Sequence, residues 1–319
     1  MFNLMQAAEL YHQCGYSILP VDAQKKCLIY WKRYQTRRMT VAEIRRWFQD
    51  PRCDGIAVIA GAISGNLELI DIDVKNDPTG QLIRTFGSQL RRQYPHILAK
   101  LVIAATRNAG YHFWYKCPQI GRSTVLARRP ATELDRLTDP LAQVKVLIET
   151  RATGGYGIVH PTAGYRFLQG SLQTVQVLSA DDRTALFDLA RTFNTLPDPA
   201  PISRTNLRVT RGPESPLNDF DARGDLHGLL SSYGWIYVRT KAGRSYYRRP
   251  GETDHDTSGD FHHGLRLFSV FSPSTEFIPR QPYRPSAVYA VLACQGDFRL
   301  AAKKLVQAGF GVPYSEVWW

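Results

Sequence analysis

Two aspartates close a strand-like run of apolar residues, and their spacing suits metal chemistry. The segment LELIDIDV places Asp71 and Asp73 two positions apart. Side chains at positions i and i+2 of a strand point to the same face, so the two carboxylates would project together. Close carboxylates repel each other unless a cation lies between them, and their hard oxygen atoms suit Mg²⁺ or Mn²⁺. The alternative is a strand whose wet face carries two solvated aspartates.

A second polar group surrounds a turn predicted within TRNAGYHFWYK. A strand would end at the Asn-Ala-Gly turn and resume as an alternating aromatic strand. Arg107 precedes this turn and His112 follows it. Such a pair can hold the phosphates of a nucleotide. The alternative is a hairpin whose histidine is simply half-exposed.

A third group lies in VKVLIETRATGG, where a strand meets two glycines. Strand alternation puts Glu149 and Arg151 on one face. Glu149 could be a third metal ligand on a neighbouring strand, and Arg151 could contact a nucleotide. The alternative is a surface Glu–Arg pair before a glycine turn.

The elements around these groups mix helices and strands. Helices are predicted from Asn3 to Cys14, after Thr40 with Glu43 in capping-box position, and near Thr79–Tyr94. Strands are predicted at YSILPV, GIAVIAG, NLELIDIDV, LVIAAT, YHFWYK and VKVLIET, with GYGIVHP and GYRFLQG as a closing hairpin. The residues alone therefore indicate an α+β or α/β domain built around a mixed sheet.

Positive charge is abundant and unevenly distributed. The chain has 40 Lys+Arg against 28 Asp+Glu, a net charge of +12, and residues 78–132 contain no acidic residue but nine basic ones. Aromatic residues are interleaved with the basic ones, as a groove that follows a nucleic-acid backbone requires, although a solvated basic face is the alternative. The predicted DNA-contacting residues are Lys32, Arg33, Arg37, Arg38, Arg91, Arg92, Arg128 and Arg129.

The order of these motifs resembles the primase-polymerase domain of the archaeo-eukaryotic primase superfamily over about residues 5–170. The resemblance rests on the DxD strand, the turn leading into His112, and Glu149 followed by Gly-Gly-Tyr. It also includes CGYSILPV, the basic Lys25-Lys26 pair and the run GIAVIAGAISGNLELIDID. It implies an α+β fold with mixed, largely antiparallel sheets. It further implies that Asp71, Asp73 and Glu149 bind the catalytic metals and that His112 contacts the phosphates of the incoming nucleotide.

The function implied by this resemblance is that of a DNA primase-polymerase. Such an enzyme transfers nucleotides from (d)NTPs to a primer 3′-hydroxyl on a single-stranded DNA template by a two-metal mechanism, here in replication of a phage- or plasmid-like element. Two alternatives remain open. One is a catalytically inactive replication-initiation or single-strand-binding protein, and the other is a metal-dependent nuclease using the same acids.

Three regions are predicted along the chain. Residues 1–195 would form the catalytic domain, 196–220 a proline-rich linker, and 221–319 a small α+β accessory domain. The last region reads as a hairpin around Lys241-Ala242-Gly243, a further strand and two amphipathic helices. It resembles the zinc-binding module of bacterial-type primases with its cysteines lost, which implies contact with the template or with a replicative helicase.

The segment DHDTSGDFHHG combines metal-ligating residues with loop-like composition. His255, Asp256, His262 and His263 could hold Zn²⁺. Their spacing matches no regular zinc pattern, so a solvated polar loop is the favoured interpretation.

The cysteines and the lengths of the apolar runs indicate the cellular compartment in which the protein is expected. Five cysteines are scattered without a CxxC pair, which favours free thiols in a reducing cytoplasm. There is no stretch of about 18 apolar residues and no signal-peptide pattern, so no membrane association is expected.

Overall fold

A computed structural model describes residues 3–140, 142–196, 215–252, 257–272 and 274–311. The chain divides into two compact units, one of Met1–Arg129 and Val146–Thr195 and the other of Pro130–Lys145 and Leu196–Trp319. Residues 130–145, predicted within the first domain, therefore belong to the second unit. Most of the predicted linker, residues 197–214, lies outside the described residues, and the remainder enters a helix that begins at Pro216.

Helices and strands are mixed along the described chain. The helices are α1 (Leu4–Gln13), α2 (Val41–Phe48), α3 (Leu82–Gln93), α4 (Pro95–Lys100), α5 (Glu133–Thr138), α6 (Ala180–Arg191), α7 (Pro216–Arg223), α8 (Leu226–Ser232), α9 (Pro285–Cys294) and α10 (Phe298–Gln307). The strands are β1 (Ser17–Val21), β2 (Gly55–Ile59), β3 (Leu67–Ile72), β4 (Val102–Ala105), β5 (Tyr111–Lys116), β6 (Val125–Pro130), β7 (Val144–Arg151), β8 (Tyr156–Val159), β9 (Arg166–Gln169), β10 (Ile236–Lys241), β11 (Arg244–Arg248), β12 (Gly259–His262), β13 (Leu267–Val270) and β14 (Pro282–Tyr283). The class is α+β with largely antiparallel sheets, as predicted. No helix within the described ranges is long and apolar enough to cross a bilayer.

The first unit is built on two sheets. A six-stranded sheet has the order β6-β7-β3-β5-β4-β9, and a three-stranded sheet has the order β1-β2-β8. Leu69 and Trp114 point from the large sheet into a core shared with the small sheet and with α1 and α2. Ile70 and Phe113 point the other way, into a second core formed with α3, α4 and α6. The large sheet is therefore buried on both faces, and its polar residues must find partners within it.

The two closing strands of this unit correct one prediction. The segments GYGIVHP and GYRFLQG do not pair as a hairpin, because β8 pairs with β2 of the small sheet and β9 pairs with β4 of the large sheet. The last three residues of β8 are buried, whereas β9 alternates between exposed and half-buried positions at a sheet edge. Burial of β8 side chains in the core between the two sheets outweighs pairing of β8 with β9, its neighbour in sequence.

At the start of the chain, local capping residues are sufficient to predict where the helices begin. Asn3 caps α1 and accepts a hydrogen bond from the backbone of Gln6. Thr40 and Glu43 form the predicted capping box of α2, each side chain accepting from the backbone of the other. These helices begin where the sequence predicts because their free backbone N–H groups are satisfied by neighbouring side chains.

The second unit contains an antiparallel sheet in the order β10-β11-β12-β13-β14. The predicted hairpin of β10 and β11 is present, with Ala242 and Gly243 at positive φ in its turn. One face of the sheet packs on α8 and α9 around Trp235, Phe268 and Phe277. An antiparallel sheet that packs one face on helices can expose its other face to solvent.

The favoured loop interpretation of DHDTSGDFHHG is wrong for its central part. Gly259–His262 forms β12 inside the sheet, because Phe261 is an apolar residue that the core takes up. His262 accepts a hydrogen bond from the backbone of Leu265 at 3.2 Å, and His263 lies 2.9 Å from the Ser245 hydroxyl. His255 and Asp256 lie outside the described residues.

Candidate active site

Three neighbouring strands bring three predicted residues side by side. In the register of the six-stranded sheet, Asp71 on β3 lies opposite His112 on β5. On its other side, Asp71 lies opposite Glu149 on β7. Directly opposed residues in antiparallel strands project from the same face, so the sheet groups two acids and a histidine that are distant in sequence. This face is the one that carries Leu69 and Trp114 into the core shared with the small sheet.

Arg151 completes the group. Its guanidinium lies 2.5 Å from Oε1 of Glu149 and 3.9 Å from Oδ2 of Asp71. On the opposite side, Nε2 of His112 lies 3.6 Å from Oδ1 of Asp71. Arg151 therefore lies close to both carboxylates and offsets part of their negative charge.

Asp73 stands just beyond the strand. β3 ends at Ile72, and the Asp73 backbone N–H donates to the carbonyl of Leu147 on β7 at 2.9 Å. A 3₁₀ turn, Val74–Asn76, follows directly, and Oδ1 of Asp73 lies 3.8 Å from Nζ of Lys75. The aspartate is thus tied to the same pair of strands at their end, where it is more open to solvent than Asp71.

Burial shapes the charges of this group. Burial raises the pKa of Asp71 to about 6 and that of Glu149 to about 7, while the positive charge of Arg151 opposes both shifts. Burial also lowers the pKa of His112 to about 3, and Arg151 acts in the same direction. Burial thus disfavours the ionised form of both carboxylates, whereas a nearby positive charge favours it. The histidine is neutral near pH 7 and offers one ring N–H as a hydrogen-bond donor.

The donor chemistry fits a divalent cation. Carboxylate oxygens from Asp71, Glu149 and the adjacent Asp73 are the hard ligands that Mg²⁺ and Mn²⁺ prefer. The raised pKa values of the two buried acids indicate a site that favours added positive charge. Across the described ranges, however, no three acidic, histidine or cysteine side chains lie close enough together to hold a metal ion.

Arg107 links two loops beside the site. Its Nε donates to the carbonyl of Ala163 at 3.0 Å, and its Nη1 donates to the carbonyl of Ala23 at 2.6 Å. A Cβ at Gly164 would lie 2.9 Å from the Arg107 side chain, and Gly164 has a φ of +83°. The guanidinium predicted to contact phosphates thus already joins the loop after β1 to the loop before β9.

Sequence reasoning did not single out Lys25 and Tyr165 as site residues. The Lys25 ammonium lies 5.4 Å from the ring centroid of Tyr165, whose ring lies 5.8 Å from that of His112. Lys25 has a φ of 67°, in a turn where Asp22 accepts hydrogen bonds from the backbone of Gln24 and of Lys26. The available signal was the basic pair directly after β1, but nothing in the sequence connects it to His112.

Four of the predicted DNA-contacting residues lie in the exposed segment between β1 and α2: Lys32, Arg33, Arg37 and Arg38. Arg37 holds both carboxylate oxygens of Glu43 at 2.8 and 2.7 Å. The guanidinium groups of Arg33 and Arg37 lie 4.7 and 5.0 Å from the centroid of the Tyr34 ring. Local partners therefore hold these two arginines at an accessible surface.

The other four predicted DNA contacts are placed differently. Arg91 and Arg92 are exposed on α3, which packs against the sheet face opposite to Asp71. Arg128 and Arg129 are only 8% and 7% exposed, and Nε of Arg129 donates to the carbonyl of Asn76 at 2.5 Å. Burial removes this last pair from the surface that DNA could contact. A run of basic residues in the sequence shows that the segment is positively charged, but it does not show which of these side chains the fold buries.

Comparison with known proteins agrees with the geometry. The profile of the family described as bifunctional DNA primase/polymerase, N-terminal, matches residues 7–206, which span β1 to β9 and all the residues of the site. No curated protein matches the chain at a significant level. Because the family profile covers more than half of the chain, the protein belongs to the bifunctional DNA primase/polymerase family.

Proposed function

We propose that the protein is a template-directed nucleotidyltransferase that extends a primer 3′-hydroxyl with (d)NTPs at the Asp71 face of the six-stranded sheet. The observation that carries this proposal is the register that sets Asp71 between His112 and Glu149. Family membership supports the same chemistry. The acids alone would also suit hydrolysis, but a neutral histidine and a nearby lysine suit a triphosphate better than a bare water molecule.

In this proposal Asp71, Asp73 and Glu149 hold two divalent ions. When bound, such ions lower the pKa of the attacking hydroxyl and neutralise charge on the departing pyrophosphate. The chain's own task is to fix Asp71 and Glu149 on adjacent strands and Asp73 directly after β3, so that the carboxylate oxygens do not have to be gathered from mobile loops. Arg151 offsets part of the charge of the buried acids, and we propose that it also contacts a phosphate.

The phosphates are bound by a mixed set of donors. His112, neutral near pH 7, donates one hydrogen bond from the floor of the site. Lys25 supplies a full positive charge from the turn after β1, and Lys75 supplies another beside Asp73. Arg107 holds the loop that contains Ala23 against the loop that contains Ala163, which positions Lys25 above Tyr165.

Single-stranded DNA is the second substrate in this proposal. The exposed cations between β1 and α2, together with Tyr30, which is 72% exposed, offer charge and a stacking surface to a template strand. We extend the proposal to replication of a phage- or plasmid-like element, with a replicative helicase as a partner. The support for this role is the family and the net charge of +12.

A labelled primer annealed to a longer template tests the function in a single gel. Full-length protein with Mg²⁺ or Mn²⁺ and dNTPs or NTPs should lengthen the primer. Asp71→Ala should reduce extension by about a thousandfold or more, because it removes the central carboxylate. Asp188→Ala serves as the control, since this aspartate is exposed on α6 and its salt-bridge partner among the described residues is Arg191.

The same gel separates the alternatives. A shortened primer that requires the metal would assign a nuclease. An unchanged primer that the protein nevertheless binds would assign an inactive replication-initiation or single-strand-binding protein. Near-wild-type extension by Asp71→Ala would remove the assigned site even if the protein is a polymerase.

A further inference from the structure

The sheet of the second unit has one covered face and one charged face. Tyr247, Phe261 and Phe268 point into the core with α8 and α9. Strand alternation sends their neighbours to the other side. That side, called here the basic face, carries Arg239, Lys241, Arg244, Tyr246, Arg248 and Asp260.

A bulge in β10 assembles the basic face. Ile236 pairs with Arg248, but the register then shifts at Val238, so that Arg239 pairs with Tyr246. In a regular strand, Val238 would take that place and Arg239 would point towards the core. The extra residue therefore turns a guanidinium onto the same side as Tyr246, and bulges are a common means of redirecting side chains at sheet edges.

The positive charge of this face is accessible. Arg239 and Lys241 are exposed on β10, the edge strand, and the side chain of Arg244 is 41% exposed. Asp260 is the single acid of the six residues, it is buried, and Arg244 pairs with it. The other three cations of the face form no salt bridge within the part of the chain that the structure describes.

Two further features indicate what the face would bind. The Arg239 guanidinium lies 5.2 Å from the centroid of the Tyr246 ring, which makes a stacked platform. Lys241 is exposed at the end of β10. A flat cation–aromatic pair accepts a planar ring, and an exposed ammonium group suits an oxygen of a phosphate.

We infer that the basic face is a binding site for single-stranded nucleic acid, with a base stacked at Arg239 and Tyr246 and a phosphate bound by Lys241. A single strand supplies both exposed base rings and a chain of negative charges, whereas a duplex hides the ring faces. The site would raise the local concentration of template whether or not the first unit performs nucleotidyl transfer. It therefore stands independently of the proposed function.

Fluorescence anisotropy with the full-length protein tests this site. The probes are labelled oligo-dT and oligo-rU of about 20 nucleotides, longer than a site of about 4–16 nucleotides, without divalent metal or nucleotide. The double variant Arg239→Ala with Lys241→Ala should weaken binding about tenfold. The slope of log Kd against log salt should fall by about 0.7, because the variant removes the phosphate contact of Lys241 and each such contact on a single strand contributes about 0.7.

The matched control removes the same charge elsewhere in the unit. Arg299 and Lys303 are exposed on α10, and their double alanine variant should change the affinity less than twofold. Tyr246→Ala should weaken single-strand binding about tenfold and leave the salt slope unchanged, since it removes stacking and no charge. The probe that loses more affinity identifies DNA or RNA as the natural ligand.

A second measurement does not depend on affinity. Oligonucleotides carrying 5-iodouracil should crosslink to Tyr246 under long-wavelength ultraviolet light. If the face variants bind as well as the α10 control and no crosslink maps to β10 or β11, the inference is overturned. The surface would then be left to a protein partner.

Discussion

Asp71 lies at the centre of the site because its strand lies between two others. Its cross-strand neighbours are His112 on one side and Glu149 on the other, and Arg151 lies diagonally at 3.9 Å. No loop movement is required to bring these four side chains together. The acids are thereby held close despite a repulsion that burial strengthens.

Metal binding should be detectable without any reaction. Saturating Mn²⁺ should raise the Tm of the wild type by about 5–11 °C, since a hundredfold excess over Kd adds about 2.7 kcal/mol and each kcal/mol raises Tm by about 2–4 °C. Asp71→Asn should abolish this shift, because it removes a charged ligand at nearly constant volume. Differential scanning fluorimetry measures the effect, with Asp188→Asn as control. An equal Tm shift in Asp71→Asn and Asp188→Asn would show that Mn²⁺ binds at another site.

At the scale of single residues, the sequence predicts which side chains neighbouring strands align, but it does not predict the contacts that loops bring about. Asp71, His112 and Glu149 were predictable because the motif order indicates three strands and alternation assigns their faces. Lys25 reaches Tyr165 only through the turn that Asp22 organises. Such a contact depends on tertiary packing, and the local sequence has no periodic pattern that would predict it.

The close approach of the two sheets depends on one small residue in β8. A Cβ at Gly157 would lie 2.6 Å from Cη2 of Trp114 and 2.8 Å from Cδ2 of Leu69. Both neighbours are fully buried and belong to the same core. The small sheet can therefore pack over the large one only where this position lacks a side chain.

Gly157→Ala should destabilise the protein by about 1–3 kcal/mol, because an added methyl group overpacks a closed core. Gly87→Ala is the matched control. Gly87 lies inside α3 with nothing within 4 Å of an added Cβ, so the same change should stabilise the helix by about 0.5–1 kcal/mol. Urea unfolding of the two variants measures both effects. A stable Gly157→Ala variant would contradict the described packing.

The start of α2 provides a pH-dependent contribution. Glu43 accepts hydrogen bonds from Arg37 and from the backbone of Thr40, and these contacts hold the pKa of its carboxyl well below the usual range. A lowered carboxyl pKa stabilises the fold above the unfolded value of about 4.3, and this stabilisation is lost as the pH falls.

Glu43→Gln keeps a capping side chain but removes its charge. The variant should lose about 1 kcal/mol at pH 7, a modest figure because Arg37 is half exposed and solvent screens the pair. The difference from wild type should shrink as the pH falls from about 5 towards about 3. Urea unfolding across this range measures it, and a difference independent of pH would show that charge has no part.

Element types were easier to predict than element partners. The hairpin of β10 and β11 and the capping boxes follow from local turn and cap chemistry. The pairing of β8 and β9 with different sheets does not, because both segments have strand-like composition and only burial distinguishes them. β12 was missed for a related reason: its polar flanks conceal one core residue, Phe261.

At the scale of the molecule, each compact unit has its own cores and its own charged surface. Every residue of the proposed catalytic group lies in the first unit, within the span of the family profile. The basic face belongs to the second unit. Two surfaces therefore carry part of the net charge of +12: the exposed segment around Lys32–Arg38 and one face of the β10–β14 sheet.

The most direct test of the central claim is a crystal structure of the protein with Mn²⁺ and a non-hydrolysable nucleoside triphosphate. Mn²⁺ scatters anomalously, so its position can be identified independently of the nucleotide. We expect anomalous density between the carboxylates of Asp71 and Glu149, with triphosphate oxygens beside His112 and Lys25. Mn²⁺ and triphosphate bound together elsewhere, with Asp71 and Glu149 contacting neither, would contradict the account.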